Sequence, residues 1–374
     1  MMNRQAIENI FARSQICSAL ALGVSRQDNG RRETLFLGQA SPFGKEFLDA
    51  ETVFDLASLT KPLVTALATH SLICQEKLAF SDRLSDIFPE VAARPAHPAW
   101  RHVTIAQLLS HASGLPAHRP FFIRLLALPQ ATRQEALISM IVGEKPLYQA
   151  GCGHIYSDLG FMLLGCAIER ITGETLANFW RRTVAAEIGL PDRLFFSGDE
   201  ERARRLFAET GVCPWSGQIL AGLVHDDNCR ALGGVAGHAG LFGTLNGVLA
   251  ACDWLTLRWH GASGEREQVL LREMCEPTPN SSWCLGFDSP SGADSASGDY
   301  FRAASIGHLG FTGTSFWIDM RRRISVVLLT NRTVGLSVQR AASEEERARM
   351  KRFRREIHDC VMREFEGRPA VGRP

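Results

Sequence analysis

Thr52-Val53-Phe54-Asp55-Leu56-Ala57-Ser58-Leu59-Thr60-Lys61-Pro62 passes from an extended apolar run into the first turn of a helix, and that passage decides how the chain is read. Pro62 lacks an N–H and is best tolerated in a first turn, so the helix is expected to begin near Leu59 and to leave Ser58 at or beside its N-cap. Ser58 and Lys61 then share a face, where hydroxyl and amine touch. A serine hydroxyl is a weak nucleophile unless a neighbour removes its proton, and a lysine does so when burial lowers its pKa enough to leave a neutral amine. Lysine is scarce, at Lys45, Lys61, Lys77, Lys145 and Lys351, and only Lys61 has a serine three residues before it.

Upstream of this stretch, residues 7–12 read as a helix and 18–25 as a strand. Gln27-Asp28-Asn29-Gly30 sets Asn-Gly between two apolar runs, a hairpin signal. Downstream, from Thr60 to about Leu257, the apolar spacing is helical: Leu63, Leu67, Leu72; Ile105, Leu108, Leu109; Phe161, Leu164, Ile168, with Gly173 as a stop. A polar stretch from Asp288 to Asp299, read as flexible, precedes β-type runs at 303–309, 315–318 and 324–330, the last two forming a hairpin. Ser343 with Glu346 makes a capping box for a final helix that stops at Gly367 and Pro369. Met350, Phe353, Ile357, Val361 and Phe365 line its apolar face, and Arg347, Arg349, Arg352, Arg354 and Arg355, interleaved with glutamates, read as a solvated face.

This order predicts an α/β (α+β) chain: an antiparallel sheet flanked by N- and C-terminal helices, interrupted by an inserted all-α domain. The expected boundaries are 1–57 and 245–374 for the discontinuous sheet domain and 58–244 for the helical one, with the site in the cleft between them. The composition agrees with a globular chain, 374 residues with 45% hydrophobic and 22% charged, and a net charge of +1 gives no field to gather nucleic acid. No apolar run approaches the ~18 residues of a membrane span. The N-terminal region does not read as a signal peptide, because Glu8 and Arg13 interrupt it. The ten cysteines lack any C-x-x-C or zinc-like spacing and read as reduced cytoplasmic thiols.

Two further motifs follow in order. Tyr156-Ser157-Asp158 stands just ahead of the helix containing Phe161, and Ser305-Ile306-Gly307-His308-Leu309-Gly310-Phe311-Thr312-Gly313 supplies a β-type run whose glycines let a substrate approach the backbone. With Ser58-Leu59-Thr60-Lys61 they resemble the S-x-x-K, Y-x-N and K-x-G or H-x-G elements of the serine β-lactamase and penicillin-binding-protein superfamily. The likeness is to the branch with class C β-lactamases, family VIII esterases and DD-peptidases. The stretches from Lys77 to Asp82, Phe88 to Glu90, Leu108 to Pro116 and Gly233 to Leu241 are similar too, so the resemblance covers roughly residues 15 to 335.

The resemblance implies that Ser58 is the acylated nucleophile, Lys61 its proton acceptor and Tyr156 the phenol that carries the proton onward. The backbone N–H groups of Ser58 and Phe311 would form the oxyanion hole, with no metal or cofactor. Asp158 stands where the family often has Asn, which is expected to repel a substrate carboxylate and favour an ammonium or hydroxyl. His308 stands where β-lactamases usually have Lys, so a carboxylate loses its anchor at neutral pH. Asp158, His308, Gly310, His225 and Asp226 are the substrate-binding candidates. Val224-His225-Asp226-Asp227-Asn228-Cys229 reads either as a loop touching substrate or as a hydrogen-bonding turn, and His111 and His238 read as structural. The expected function is a cytoplasmic serine hydrolase of a small ester, amide or peptide, esterase-like and a poor β-lactamase. A D-amino-acid peptidase acting on muropeptides and a non-catalytic penicillin-binding or sensor domain are the alternatives.

Overall fold

The computed structural model describes residues 2–92, 96–189, 192–335 and 343–366. Its strands are β1 (Ala19–Arg26), β2 (Arg31–Gly38), β3 (Phe54–Asp55), β4 (Leu194–Phe196), β5 (Leu241–Gly243), β6 (Ser305–Leu309), β7 (Ser315–Asp319) and β8 (Ile324–Thr330). Five of them form an antiparallel sheet in the order β2-β1-β8-β7-β6. Arg26 pairs with Arg31, so β1 and β2 are joined by a four-residue turn closed by Gly30 at φ 66° rather than by Asn-Gly alone. The glycine supplies the left-handed residue that the turn requires.

Side chains alternate across this sheet, and both faces are covered, which is why β1 and β8 are almost continuously apolar. Ala19, Ala21, Val327 and Leu329 face the large core shared with the helical region, including the helix Leu245–Trp259. Leu20, Leu22, Val24, Val326 and Leu328 face a second core against the N-terminal helix Arg4–Ser14 and the C-terminal helix Glu344–Glu366. The final helix opens on the expected capping box: the Glu346 N–H donates to Ser343 Oγ at 3.2 Å, and the Glu346 carboxylate accepts the Ser343 N–H at 2.6 Å. The expected stop at Gly367 and Pro369 lies outside the described residues.

Three expectations are corrected. Residues 58–244 are mostly helical but not all-α, because β4 and β5 lie within them and pair with β3 in a small sheet of order β3-β5-β4. Strands of two or three residues are too short to show a period. The stretch from Asp288 to Asp299 is packed in part, with residues 291–294 exposed. Ser295, Ala296 and Ser297 are buried, and the Asp299 N–H donates to Asp359 at 2.7 Å. Arg354 does not belong to the solvated face of the last helix. It is 6% exposed, because it falls one helical turn from both Met350 and Ile357 and therefore on the apolar stripe.

Candidate active site

The small sheet seats Ser58. β3 delivers the chain to a single 3-10 turn, Ala57–Leu59, held by bonds from the Leu56 N–H to Leu241 O (3.0 Å) and from the Leu241 N–H to Thr60 Oγ (3.1 Å). Ala57 adopts φ 47°, a left-handed conformation uncommon for a residue with a Cβ. The Asp55 carboxylate holds it there by accepting the Ala57 N–H at 2.8 Å, and its other oxygen accepts the His225 N–H at 2.7 Å. After the turn the chain runs on as a wider π-type segment, Lys61–Ala66, and becomes α-helical at Leu67–Cys74. The helix therefore starts at Lys61 with Thr60 as its N-cap, two residues later than expected, and Ser58 lies in the preceding 3-10 turn rather than at the cap; the irregular first turns are a form common at functional sites.

Lys61 is fully buried and its Nζ uses all three of its hydrogens: to Ser58 Oγ at 3.0 Å, to Asp158 Oδ1 at 2.7 Å and to His238 O at 3.3 Å. Burial alone would depress its pKa, but the Asp158 carboxylate overrides burial and holds it above the ordinary lysine value. Burial likewise pushes Asp158 up, and the ammonium wins, holding the carboxyl well below the usual range. The resting lysine is an ammonium in an ion pair, not the neutral amine that burial alone would leave. Asp158 opens the helix Asp158–Thr172, where the N-terminal dipole also favours an anion.

Tyr156 lies on the same lip. Lys61 and Ser58 flank it, and burial raises its pKa, so it rests as a phenol. Its ring stands 4.7 Å from Lys61 Nζ and packs against His111 (4.6 Å between centroids), Trp283 (5.4 Å) and His308 (5.9 Å). His111 is buried and accepts the Ser157 N–H at its Nδ1, which fixes the chain beside Tyr156.

The third motif closes the opposite wall. His308, on β6, is 2% exposed. Its Nδ1 donates to Leu309 O at 2.9 Å, and burial with the nearby Lys61 charge pushes its pKa down to about 3, so the ring is neutral at pH 7. Gly310 has no room for a Cβ, which would lie 2.0 Å from Thr314 Oγ, and its N–H is taken by Thr314 O at 2.7 Å. The Phe311 N–H next to it has no intramolecular acceptor among the described residues, and Ser58 stands in a first turn where N–H groups lack helical partners.

The structure therefore brings Ser58, Lys61, Tyr156, Asp158, His308 and the 310–311 backbone into one site. It assigns the other candidates differently. Within the site, the Asp158 carboxylate is engaged by Lys61 through Oδ1, with His118 Nδ1 3.5 Å from Oδ2. Asp226 caps the short helix Asp227–Ala231 and accepts from His238 Nε2 at 2.8 Å, while the His225 ring stacks near Phe311 at 5.6 Å. Among the described residues, ligand atoms of His118, Asp158 and Asp226 lie within 4.8 Å of one another, but both carboxylates already have cationic or N–H partners, and no metal is assigned there. His118, His238 and Trp283 were not legible as site residues. His118 falls two residues past Pro116 in the Leu108 to Pro116 stretch, and that position is the only signal it gave.

Comparisons with known proteins decide the lineage. The Beta-lactamase family model matches residues 12–349. This chain belongs to the Beta-lactamase family. It is 29% identical over 303 residues to a "Putative D-alanyl-D-alanine carboxypeptidase" of Escherichia coli (strain K12), covering 75% of this chain and 69% of that protein. It is 26% identical over 304 residues to an N-acetylmuramyl-L-alanine amidase of Bacillus subtilis (strain 168), covering 76% and 69%. Among solved structures it shares its fold with EstCE1, a hydrolase with promiscuous acyltransferase activity, at TM-score 0.71 and 23% identity over 96% of this chain and 97% of that one. Like other members of the Beta-lactamase family, the chain combines an antiparallel sheet with a helical region. No helix among the described residues is long and apolar enough to cross a membrane.

Proposed function

We propose that the protein is a serine hydrolase that cleaves a small ester or amide through an acyl-enzyme on Ser58, esterase-like and a poor β-lactamase. The observation that carries this reading is Lys61 Nζ, held 3.0 Å from Ser58 Oγ and 2.7 Å from Asp158. Ser58 Oγ attacks the substrate carbonyl, and the oxyanion is received by the Ser58 and Phe311 N–H groups. Lys61 starts as an ammonium, so it must first release a proton. A substrate that covers Asp158 and excludes water favours the neutral amine–acid pair over the ion pair, which frees Lys61 to take the serine proton. Tyr156, a phenol flanked by Ser58 and Lys61, passes a proton to the leaving group and receives one from Lys61. Water then attacks the acyl carbonyl by the reverse route.

The neutral His308 supports an esterase over an enzyme that anchors a substrate carboxylate. The alternative, a peptidase or amidase on wall-derived peptides, draws support from the names of the Escherichia coli and Bacillus subtilis relatives. All ten cysteines are free thiols, which supports the cytoplasm as the working compartment. Intact-mass spectrometry of wild type and Ser58→Ala after a fluorophosphonate, penicillin G and a p-nitrophenyl ester tests the reading. A fluorophosphonate adduct on wild type alone, with fast ester turnover and slow penicillin acylation, is expected. Rapid nitrocefin turnover, or full activity in Ser58→Ala, would refute it.

A further inference from the structure

Arg354 is a charged side chain inside an apolar core, and no ion pair joins it to a carboxylate among the described residues. Burial lowers its pKa to about 9, which leaves it charged at pH 7. A buried guanidinium of this kind is expensive unless its hydrogen bonds are strong. Its Nη2 donates to Gly310 O at 2.7 Å and to Thr314 O at 2.9 Å, the two ends of the turn that carries Phe311.

The position of the first bond matters. The Gly310 carbonyl and the Phe311 N–H belong to one planar peptide unit, so a cation on the oxygen draws electron density from the nitrogen and makes its hydrogen a better donor. The same turn is fixed from its other sides. Arg332 Nε donates to Phe311 O at 2.6 Å, Thr312 Oγ to Asp55 O at 2.8 Å, and Thr314 Oγ to Leu56 O at 3.2 Å. The last two bonds tie the turn to the strand that leads into Ser58. The peptide is thus oriented and polarised in advance, the condition under which a donor stabilises developing charge without reorganising.

We propose that Arg354 is a positioning residue for the hydrolysis: it grips the peptide unit joining Gly310 and Phe311 and strengthens the Phe311 N–H as the oxyanion donor. The inference rests on the serine-hydrolase reading above and adds to it a residue some forty positions from the motif it serves. Arg354 touches no substrate; it acts through the peptide.

The test compares wild type with Arg354→Met, Arg354→Gln and Arg354→Lys. Fluorophosphonate labelling of wild-type Ser58 comes first, because no label would sink the serine-hydrolase reading itself and this inference with it. Removing an oxyanion donor outright costs on the order of 10²–10³ in kcat. Arg354→Met, which weakens that donor, is expected to lose about 10- to 100-fold in kcat on a p-nitrophenyl ester with KM changed little. Affinity for phenylboronic acid, which forms an anionic tetrahedral adduct on serine, is expected to fall in proportion, while affinity for the planar carboxylic acid product stays. Arg354→Gln and Arg354→Lys, which keep a donor to Gly310 O, are expected to fall between. They carry the test if Arg354→Met does not fold. An unchanged kcat in the folded variants would overturn the proposal. So would a fall in kcat with phenylboronic acid binding intact, which would mark Arg354 as structural only.

Discussion

At the scale of single residues, the unusual group is Asp158, because it decides the charge of Lys61. With the carboxylate 2.7 Å away, Lys61 rests protonated, and its pKa lies above the ordinary value despite complete burial. Asp158→Asn removes that attraction and leaves burial as the dominant influence, which lowers the lysine pKa. The sign follows directly. A base must be deprotonated to act, so lowering its pKa moves the acid limb of the kcat/KM profile to lower pH, with ester turnover retained. An acid limb that stays in place would show that Asp158 does not hold the lysine charged. His308 offers the complementary change. A charge-assisted hydrogen bond contributes on the order of 1.5–3 kcal/mol, so His308→Lys is expected to raise penicillin G acylation by about tenfold or more. Intact-mass time courses measure it, and no increase would mean that the missing cation is not what limits β-lactam binding.

At this scale the local spacing was informative and the distant contacts were not. Ser58 and Lys61 were legible because a helical turn places residues three apart on one face, although the segment that Pro62 marks begins at Lys61 and leaves Ser58 in the turn before it. The ion pair of Lys61 with Asp158 spans 97 positions, and the bond to His238 O spans 177, so neither has a periodic signature. Asp158 was visible as an unusual residue in its motif, but its partner was not. Arg354 is the reverse case: its register with Met350 and Ile357 was in the sequence and was outweighed by the charges around it.

At the scale of elements, the site depends on how closely backbones approach. The loop from Gly233 to Leu241 lies against the helix Asp158–Thr172, and a Cβ on Gly237 would lie 2.0 Å from Phe161 O and 2.9 Å from Gly165 N. The same loop supplies Gly237 O to Thr65 Oγ at 2.6 Å and His238 O to Lys61. Gly237→Ala must push it off the helix, at a cost of about 3 kcal/mol for overpacking of this kind. Urea denaturation is expected to show that loss, and ester kcat to fall with it, because the lysine loses one of its three acceptors. Wild-type stability in this variant would mean that the loop has slack to give. The hairpin, the capping box and the final β-type runs were readable from turn and cap chemistry. The small sheet was not, since β3, β4 and β5 are held by pairing between distant segments and not by any local preference.

At the scale of the whole molecule, the two cores have different responsibilities. The large one joins the sheet to the helices that carry Ser58, Lys61 and Asp158, while the second attaches the terminal helices to the opposite face. The C-terminal helix reaches the site by Arg354 on the 310–314 turn and by His358, whose ring lies 3.3 Å from Ser315 Oγ. Phe353, next to Arg354 and 3% exposed, is part of what docks that helix. Phe353→Ala is expected to cost roughly 3–5 kcal/mol, the usual range for emptying a phenylalanine site. The second core holds the helix independently of the first, so the loss falls on local undocking before global unfolding. In rising urea, the variant is expected to lose ester activity at concentrations where its far-UV circular dichroism is still native, whereas wild type loses both together. Coincident loss in the variant would mean that the two cores unfold as one unit and that the helix cannot release the 310–314 turn by itself.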